Sequence, residues 1–497
     1  MGAILPLPAE LSSFLLRPPP QALVIRGLPG TGKTTLSLAL LQSFRGTRIY
    51  VSGRLGRAEL AKDFPWLVGA AYRVTVVDCA RTPDPLGTTL QAVTRAQNAS
   101  PAPAGGEEFL PTTMSPEPAE ARSAATFRLP TMIVVDSWDS LFERRAEEPH
   151  PGEAVAHSRI ELERIALAQM HTGPVFLVVV VEDRVAGQLE YLVNGVVTLE
   201  RQSTRDRLER WLTLDKLRGI RITSPTYPFT LENGRFQCAS RLDSRRDVQL
   251  GRADPDPDPS RNPDTLWPGS VDYASHFGRP HLGRLTLIET DREVPDYAVR
   301  LLTSSFLTSV LQEKGKTFHL LPPRFYPNDI WKMCSGILSR EDFLRQVRIE
   351  GTGSLGKEEE VAGAIVSFPQ GPSGGTEPHT PELLRFLQEN ADPRIPNLTV
   401  LWSSGLRALN AQSPGAYTPE NLPGIVQTYL HRARIHTLFI GMVDDALTES
   451  LAPMAEVRVH MTARSGRVFL WGSDPPSPYL VLAEGDDLAP YRLLVVV

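Results

Sequence analysis

The sequence predicts an α/β protein of two tandem three-layer domains with mainly parallel sheets, in which the second domain is a degenerate copy of the first. The chain has 497 residues, more than a single hydrophobic core organises. In its first half, short apolar runs alternate with helical patterns, an order that predicts a parallel sheet with right-handed crossovers. The second half repeats this order in a weaker form.

The first half contains apolar runs with the length and continuous hydrophobicity of strands that are buried on both faces. Helical patterns stand between these runs, at residues 34–44 and 158–169. Residues 195–201 and 210–217 then predict further strands that close one edge of the sheet. The five apolar runs are residues 22–26, 48–52, 74–77, 131–135 and 175–181.

The second half follows the same plan. An apolar run at residues 285–289 precedes a predicted helix at 296–312 and a predicted strand at 317–321. Two later runs, LTVLWSS at 398–404 and HTLFIGMVDD at 436–445, match TMIVVDS and PVFLVVVVED, which stand equally late in the first half. We interpret this match as a tandem duplication of one α/β domain.

Two proline-rich segments interrupt these patterns. Residues 98–130 lack periodicity and stand between strand-like sequences, which indicates a disordered insertion within a domain. Residues 241–270 include DPDPDPSRNPD, where prolines remove backbone donors and neighbouring acids repel one another. The sequence therefore predicts a first domain at 1–240, an acidic linker at 241–270 and a second domain at 271–497.

Composition predicts a cytoplasmic protein. Hydrophobic residues make up 41% and charged residues 22% of the chain, as in ordinary soluble globular proteins. The net charge of -5 gives no global reason to expect nucleic acid as a partner. Because Cys79, Cys238 and Cys334 form no cluster, we expect neither a zinc site nor a disulfide framework. The N-terminus lacks the basic region of a signal peptide, and no stretch reaches membrane-spanning length, so we expect no membrane association.

The segment GLPGTGKT at residues 27–34 fits the phosphate-loop pattern G-x-x-x-x-G-K-[ST] at every fixed position. It follows an apolar strand and opens a helix, which disfavours the alternative of a chance glycine-rich turn. Glycines let backbone N–H groups converge on one anion, and the helix N-terminus adds partial positive charge. We therefore expect ATP to bind here, with the lysine on its β- and γ-phosphates. The predicted nucleotide-binding residues are Gly27, Leu28, Pro29, Gly30, Thr31, Gly32, Lys33, Thr34 and Thr35.

A second motif predicts the residue that holds Mg²⁺. MIVVDSWDS at residues 132–140 is an apolar strand that ends in an acid, the form of a Walker B motif. Asp136 would orient the metal, directly or through a water, and the Thr34 hydroxyl would be the other protein ligand. Asp139 is the alternative candidate for the metal-binding acid, although its position beyond the strand favours a surface location.

With these motifs the sequence resembles the KaiC branch of RecA-like ATPases. The shared features are the strand that ends in an Asp-Ser pair, DKLRG at 215–219 and PFTLENG at 228–234. More narrowly, LPAELSSFLLRPPPQALVIRGLPGTGKTTLSLALL and YVSGRLGRAELAKDFPWL resemble the archaeal GvpD-type P-loop proteins, a family named for a gas-vesicle regulatory protein. The resemblance covers about residues 6–238 and continues into the second half only as a degenerate repeat. It implies tandem RecA-like three-layer domains.

The resemblance also implies an assembly. KaiC-like proteins form rings with ATP at the boundary between subunits, and the Lys and Arg of a K-x-R-G stretch reach the neighbour's γ-phosphate. Lys216 and Arg218 match those positions, so the resemblance implies a homo-oligomer in which both act as catalytic cations, together with Lys33 and Asp136. The alternative is that Lys216 and Arg218 are exposed charges on an edge strand.

One departure from the family concerns the residue that activates water. KaiC-type domains carry a Glu pair just after the second strand, where this chain has Gly53 and Arg54. Glu59 stands further on, in a position that favours a helix surface, and Glu182 and Asp183 are the alternative water-positioning acids. Without a placed base, we expect the chain to bind ATP and to hydrolyse it slowly. Arg54 is itself a candidate to touch the phosphates.

The second repeat has lost the features of a nucleotide site. In place of the phosphate loop it reads IETDREVPD at residues 288–296, with no glycine and no lysine. Trp402 or Ser403 stands where the metal-binding acid is expected, and the Gly-Lys-Thr at 315–317 lacks a leading glycine and precedes a strand. We expect this domain to be a scaffold or a partner-binding surface. The acids that would repel a triphosphate are Glu289, Asp291, Glu293 and Asp296.

Three functions fit the sequence. The first is a regulatory ATPase whose nucleotide state controls assembly or an unidentified protein partner, which the degenerate repeat and the missing acid pair favour. The second is a RecA- or RadA-like recombination or repair accessory ATPase, but the loops after the Asp136 and Val181 strands are charge-mixed and poor in aromatics. The third is a nucleotide-stabilised interaction module without turnover. In that case RQSTRDRLER at 201–210 would bind an acidic partner, unless it is a hairpin with solvated charges.

Overall fold

The structure is a computed structural model, and the chain divides into two compact units, Met1–Cys238 and Ala239–Val496. Each unit is organised around its own sheet. The described residues are 7–68, 74–80, 82–98, 130–143, 159–170, 173–182, 189–204, 207–239, 241–242, 248–251, 253–258, 262, 264–323, 325–350, 361–366, 395–412, 414–415, 417–433, 435–485 and 491–496.

Among the described residues, the first unit contains a nine-stranded sheet in the order β3-β2-β4-β5-β1-β6-β7-β8-β9. The six strands from β3 to β6 in that order run parallel, and β6 to β9 form antiparallel pairs. The strands are β1 (Gln21–Arg26), β2 (Thr47–Ser52), β3 (Thr75–Asp78), β4 (Thr131–Asp136), β5 (Val175–Val181), β6 (Gly195–Thr204), β7 (Arg207–Leu217), β8 (Thr226–Thr230) and β9 (Gln237–Cys238).

Both faces of this sheet are covered by helices. Successive side chains of the central strands point to opposite faces, so they pack into two separate cores. On β1, Leu23 and Ile25 pack into one apolar core, whereas Ala22 and Val24 pack into another. The covering helices are α1 (Ala9–Leu15), α2 (Lys33–Ser43), α3 (Arg57–Asp63), α4 (Pro85–Asn98), α5 (Ser140–Glu143), α6 (Arg159–Met170) and α7 (Leu189–Leu192), with 3-10 turns at Pro65–Val68 and Glu232–Gly234.

The second unit contains ten described strands in the order β13-β12-β11-β14-β15-β10-β16-β17-β18-β19. The strands from β13 to β16 in that order run parallel, and β16 to β19 run antiparallel. They are β10 (Leu285–Thr290), β11 (Thr317–Leu320), β12 (Val347–Glu350), β13 (Ile365–Val366), β14 (Asn397–Trp402), β15 (Ile435–Met442), β16 (Ala455–Arg464), β17 (Arg467–Asp474), β18 (Leu480–Glu484) and β19 (Tyr491–Val495).

Apart from α8, which precedes β10, the described helices of the second unit again connect parallel strands along the chain. The longest is α9, whose buried side chains join the larger apolar core of this unit. The described helices of this unit are α8 (Val271–Phe277), α9 (Asp296–Gln312), α10 (Pro327–Cys334), α11 (Arg340–Gln346), α12 (Ser403–Gln412), α13 (Leu422–Ala433) and α14 (Ala446–Leu451), with 3-10 turns at Ala362–Ala364 and Ala452–Met454.

The two sheets have the same strand order once β10, β11, β12, β14 and β15 are matched to β1, β2, β3, β4 and β5. The four strands that follow β15 then match β6 to β9, and β13 is an addition at the edge. This correspondence confirms the predicted α/β fold of tandem RecA-like domains. Each predicted strand and helix matches the observed one apart from its end residues, but the prediction contained none of β8, β9, β12, β13 and β16 to β19.

The segment at residues 241–270, predicted as a linker, contributes to the core of the second unit where it is described. Val248, Leu250 and Leu266 lie in that core, and Trp267 is also buried. The burial of these apolar side chains fixes this part of the segment against the second unit, despite the neighbouring acidic and proline residues. The insertion predicted at residues 98–130 lies outside the described residues except for Asn98 and Pro130. None of the described helices is both long and apolar enough to span a bilayer.

Candidate functional site: a phosphate loop at the end of the first sheet

The loop at residues 27–32 joins the end of β1 to the start of α2. This is the carboxyl edge of the parallel strands, where open α/β sheets bind their ligands. Gly27, Gly30 and Gly32 have φ angles of 153°, 75° and 97°, a region that side chains other than glycine rarely adopt. The loop therefore has the backbone geometry that the phosphate-loop pattern predicts.

At two of these glycines, neighbouring atoms also leave no space for a side chain. A Cβ on Gly27 would collide with the backbone carbonyl of Leu199, on β6. A Cβ on Gly32 would lie 2.8 Å from the side chain of Leu231, which belongs to the PFTLENG motif. The PFTLENG motif thus packs against the phosphate loop, although the two segments lie far apart in the sequence.

Lys33 is folded back over the loop. Its ammonium donates hydrogen bonds to the carbonyls of Gly27 at 2.7 Å and Leu28 at 2.9 Å. The side chain is buried, and this burial lowers the pKa of Lys33 below its ordinary value, although the nearby carboxylates of Glu182 and Asp136 act in the opposite direction. The ammonium therefore lies inside the loop that would receive phosphate.

The two predicted metal ligands are in contact. The Thr34 hydroxyl donates a hydrogen bond of 2.6 Å to Oδ2 of Asp136, the last residue of β4. Tyr50, on the neighbouring strand β2, donates a hydrogen bond of 2.7 Å to the same oxygen. Burial first, and then the charge of Asp136, raise the pKa of Tyr50 well above its ordinary value, so this phenol remains a donor. No sequence pattern predicts this contact of Tyr50.

This pair of ligands suits Mg²⁺ that arrives with a nucleotide. Mg²⁺ prefers oxygen ligands and is often bound by one or two protein groups together with phosphates and waters. The Thr34 hydroxyl and the Asp136 carboxylate supply two such oxygens on adjacent elements. The described residues contain no cluster of three or more His, Cys, Asp or Glu side chains that would hold a metal by themselves. The residues present therefore fit a metal shared with phosphate.

The structure explains why no acid follows β2. A Cβ on Gly53 would collide with the Ser140 hydroxyl, and the Gly53 amide donates a hydrogen bond of 2.7 Å to the carbonyl of Asp136. A side chain at position 53 would therefore have to displace the Ser140 side chain, next to the backbone of Asp136. Glu59 accepts a hydrogen bond from the Gly56 amide at the start of α3, so the expectation of a helix position for Glu59 is confirmed.

Two of the remaining acids at this edge are engaged with neighbours. Glu182 forms an ion pair with Arg54, and its amide donates a hydrogen bond of 3.0 Å to the Asp139 carboxylate. Arg54 is thus held by a carboxylate rather than being free for phosphate. Asp183 lies outside the described residues. Glu182, one of the two acids predicted to position water, is partly exposed, and Arg54 compensates its charge.

Lys216 and Arg218 lie toward the opposite edge of the sheet from the phosphate loop. Lys216 pairs across β7 and β6 with Val196, which in turn pairs with Val24 in the middle of β1. Its ammonium donates to the carbonyls of Glu190 and Val193, at 2.7 and 2.8 Å, and the Arg218 guanidinium approaches the carbonyl of Tyr191 at 3.4 Å. The structure therefore does not bring these two cations to the phosphate loop of their own chain.

Two arginines that the sequence did not single out for nucleotide do lie beside the loop. The stretch at residues 201–210 belongs to the hairpin of β6 and β7, in which Arg201 and Arg210 stand directly opposite each other. The Arg210 guanidinium donates a hydrogen bond of 2.8 Å to the carbonyl of Gly30. The expected hairpin is therefore present, but Arg210 is bonded to the phosphate loop instead of being solvated.

The matching edge of the second unit has a different chemistry. Glu289 lies within β10, where it is buried, accepts two hydrogen bonds of 2.8 Å from Arg458 and lies 2.8 Å from Nδ1 of His460. The charge of Glu289, one of the four acids predicted to repel a triphosphate, is thus compensated within the sheet by Arg458. Trp402 ends β14 as Asp136 ends β4, and its ring packs on Phe325.

Comparisons with known proteins agree with the resemblance found in the sequence. No protein-family model matches the chain. Protein GvpD2 of Halobacterium salinarum is 31% identical over 242 residues, which cover 48% of this chain and 45% of that protein. Protein GvpD1 of the same organism is 29% identical over 261 residues, or 51% and 44% of the two chains. The chain thus spans about half the length of the curated relatives it matches, and over that part it is similar to both GvpD proteins.

Proposed function

We propose that this GvpD-like chain is a regulatory P-loop protein that binds ATP with Mg²⁺ in its first unit and hydrolyses it slowly. The contact between Thr34 and Asp136 carries the proposal, because it joins the phosphate-loop motif to the metal-binding motif across 102 residues of sequence. A chance glycine-rich turn would have no reason to end beside an acid at the end of a neighbouring strand.

Phosphate recognition is supported by the loop itself. Gly27 and Gly32 allow the backbone to approach Leu199 and Leu231 closely, which holds the loop against β6 and the residues after β8. Backbone N–H groups on such a loop, with the N-terminus of the eleven-residue helix α2 behind them, attract an anion. The Lys33 ammonium would exchange its bonds to two loop carbonyls for bonds to phosphate oxygens.

Metal binding would then place the γ-phosphate. Thr34 would turn its hydroxyl oxygen from Asp136 to Mg²⁺, and Asp136 would hold the metal directly or through a water. Tyr50 would keep the Asp136 carboxylate in position through its own hydrogen bond. The bound metal supplies charge compensation for the phosphates, which is a large part of catalysis in phosphoryl transfer.

Slow turnover follows from the surroundings of the attacking water. Ser140 fills the space beside Gly53 that a glutamate would need, and Arg54 compensates the charge of Glu182. A general base that is absent or charge-paired typically costs hydrolysis a factor of about 10² to 10⁴. A long-lived ATP state suits a switch better than a motor.

We assign trans roles to Lys216 and Arg218 as part of the same proposal. Both lie at or just after the end of β7, toward the edge away from the phosphate loop, so in this proposal a second copy of the chain receives them at its γ-phosphate. The exposed side chain of Tyr191 stands beside Arg218, and it gives this region an apolar element for subunit contact. The proposed assembly is a homo-oligomer, with a ring as one form, in the cytoplasm.

The regulated partner is proposed to be a protein. The second unit has no glycine or lysine in the connection between β10 and α9, so nucleotide binding is assigned to the first unit alone. The second unit then serves as a scaffold or as the surface that meets the partner. Neither nucleic acid nor a membrane is required by this proposal.

Phosphate release from ATP tests the proposal against its alternatives. We expect slow turnover that Lys33→Ala abolishes and Lys62→Ala, a matched change on the exposed side of α3, leaves unchanged. Stimulation by DNA would support the recombination alternative, and ATP binding with no turnover at all would support the interaction module. Turnover that survives Lys33→Ala would contradict the site. Sizing with and without ATP tests the assembly, which a nucleotide-independent monomer would contradict.

A further inference from the structure

The hairpin of β6 and β7 lies against the phosphate loop through its backbone as well as its side chains. The Leu199 carbonyl of β6 occupies the space beside Gly27. Two residues further along the same strand, Arg201 stands next to the loop, so that a Cβ placed on Gly30 would lie 3.9 Å from its Nη1 atom. The hairpin therefore brings side chains of its own chain to the glycine at the fourth position of the loop.

Arg210 is fixed to the loop. Its guanidinium donates a hydrogen bond of 2.8 Å to the Gly30 carbonyl from the strand directly opposite Arg201. Burial, and secondly the positive charge of Arg201, lower the pKa of Arg210. Two guanidinium groups are thus held together, at a cost in repulsion, on the loop that is built for an anion.

Arg201 differs from its neighbour in being exposed. Within the described parts of the chain, it makes no hydrogen bond or ion pair that would fix its guanidinium elsewhere. A polyphosphate on the loop would bring negative charge to within reach of both arginines, and this charge would relieve their mutual repulsion. Guanidinium groups suit this task because they bind phosphate oxygens in pairs of hydrogen bonds.

We propose that Arg201 and Arg210 form a cationic clamp on the bound nucleotide, in which Arg201 binds phosphate oxygens and Arg210 positions the loop through Gly30. The clamp belongs to the same chain as the phosphate loop, unlike the trans cations assigned to Lys216 and Arg218. This inference rests on the proposed function, since it requires nucleotide at residues 27–34. The clamp closes on the phosphate chain from the side of the sheet that β6 extends.

Equilibrium binding of ATP and ADP to the full chain tests the clamp. We expect Arg201→Ala to weaken ATP binding about tenfold, and to reduce its salt dependence, because one charge-assisted contact is lost. Arg210→Ala should weaken ATP and ADP to a similar degree, and Arg210→Lys should restore much of the affinity because lysine also donates to a carbonyl. Arg345→Ala, which removes the same charge from an exposed helix of the second unit, is the matched control.

The outcomes separate the clamp from the function beneath it. If wild type binds ATP and Arg201→Ala binds it with the same affinity and the same salt dependence, the clamp is overturned and the proposed function stands. If Arg210→Lys is as weak as Arg210→Ala, the positioning role of Arg210 is overturned. If wild type binds no ATP at all, the proposed function and the clamp fall together.

Discussion

The Thr34 hydroxyl donates a hydrogen bond of 2.6 Å to the Asp136 carboxylate, which joins the first turn of α2 to the last residue of β4. The contact arises because β4 and β1 are both flanked by β5, so their carboxyl ends reach the same edge of the sheet. Tyr50 approaches the same carboxylate from β2. Three elements thus position one acid, and this arrangement leads to the first prediction.

Tyr50→Phe should lower the affinity for Mg²⁺, because it removes the hydrogen bond that orients the Asp136 carboxylate. Removing a partner of a metal ligand typically lowers metal affinity by about 10- to 100-fold. We therefore expect the Mg²⁺ concentration that half-saturates ATP binding to rise by at least about tenfold. Tyr491→Phe, which removes a phenol that contacts Ser305 in the second unit, is the control. An unchanged Mg²⁺ dependence in Tyr50→Phe would contradict a role for this hydrogen bond.

Gly53→Glu should not create a fast ATPase, although it restores an acid at the family position. The new side chain would collide with Ser140, so we expect a less stable first unit and no gain in phosphate release. Overpacking of this kind costs about 1–3 kcal/mol. Adding Ser140→Gly should recover stability, as measured by thermal unfolding. Fast turnover in the single variant would show that Ser140 does not exclude an acid.

Arg54→Ala should leave ATP affinity nearly unchanged and should raise turnover, because Glu182 loses the cation that compensates its charge. Phosphate release from Arg54→Ala should then fall again when Glu182→Gln is added. A weaker affinity for ATP in Arg54→Ala would instead indicate that Arg54 touches the phosphates. No change of turnover in either variant would remove Glu182 from the reaction.

Glu10→Gln should destabilise the docking of α1. The Glu10 carboxylate accepts hydrogen bonds from the hydroxyls of Thr223 and Tyr227, both at 2.6 Å, and from the amides of Thr223 and Ser224. Burial alone would raise the pKa of Glu10, but these hydrogen bonds outweigh it and lower the pKa from 4.5 to about 2. A depression of this size corresponds to about 3 kcal/mol of stability near neutral pH.

The pH dependence of this stability has a definite sign. Because the folded pKa lies below the unfolded one, the contribution of Glu10 is present above pH 4.5 and is lost as the pH falls toward about 2. Hydrogen exchange in α1 should therefore be faster in Glu10→Gln at neutral pH, and the difference should vanish near the folded pKa. Glu59→Gln, on the exposed side of α3, is the control. A difference that persists at the lowest pH would contradict the charge-based account.

The sequence was sufficient for those features that depend on local patterns. Continuous apolar runs located β1, β2, β4 and β5, since strands buried on both faces need such runs. The glycines and Lys33 predicted the loop between β1 and α2, and the acid at the end of an apolar strand predicted that Asp136 would lie beside this loop, as it does.

Features that depend on long-range packing were beyond the sequence. Tyr50 and Ser140 matter because their strands or turns end beside Asp136 and Gly53, and no spacing rule relates these pairs. β16 did carry a signal, since Val457, Val459 and Met461 alternate with polar residues as in a half-buried strand. β12 and β13 are too short for such a pattern to stand out.

The stoichiometry of ATP binding in the presence of Mg²⁺, measured by titration calorimetry on the full chain, tests the central claim most directly. The account predicts one ATP per chain, with binding abolished by Lys33→Ala and retained in Lys316→Ala, a change at the Gly-Lys-Thr of the second unit. Two ATP per chain, or one that survives Lys33→Ala, would contradict the proposed assignment of a single nucleotide site to residues 27–34.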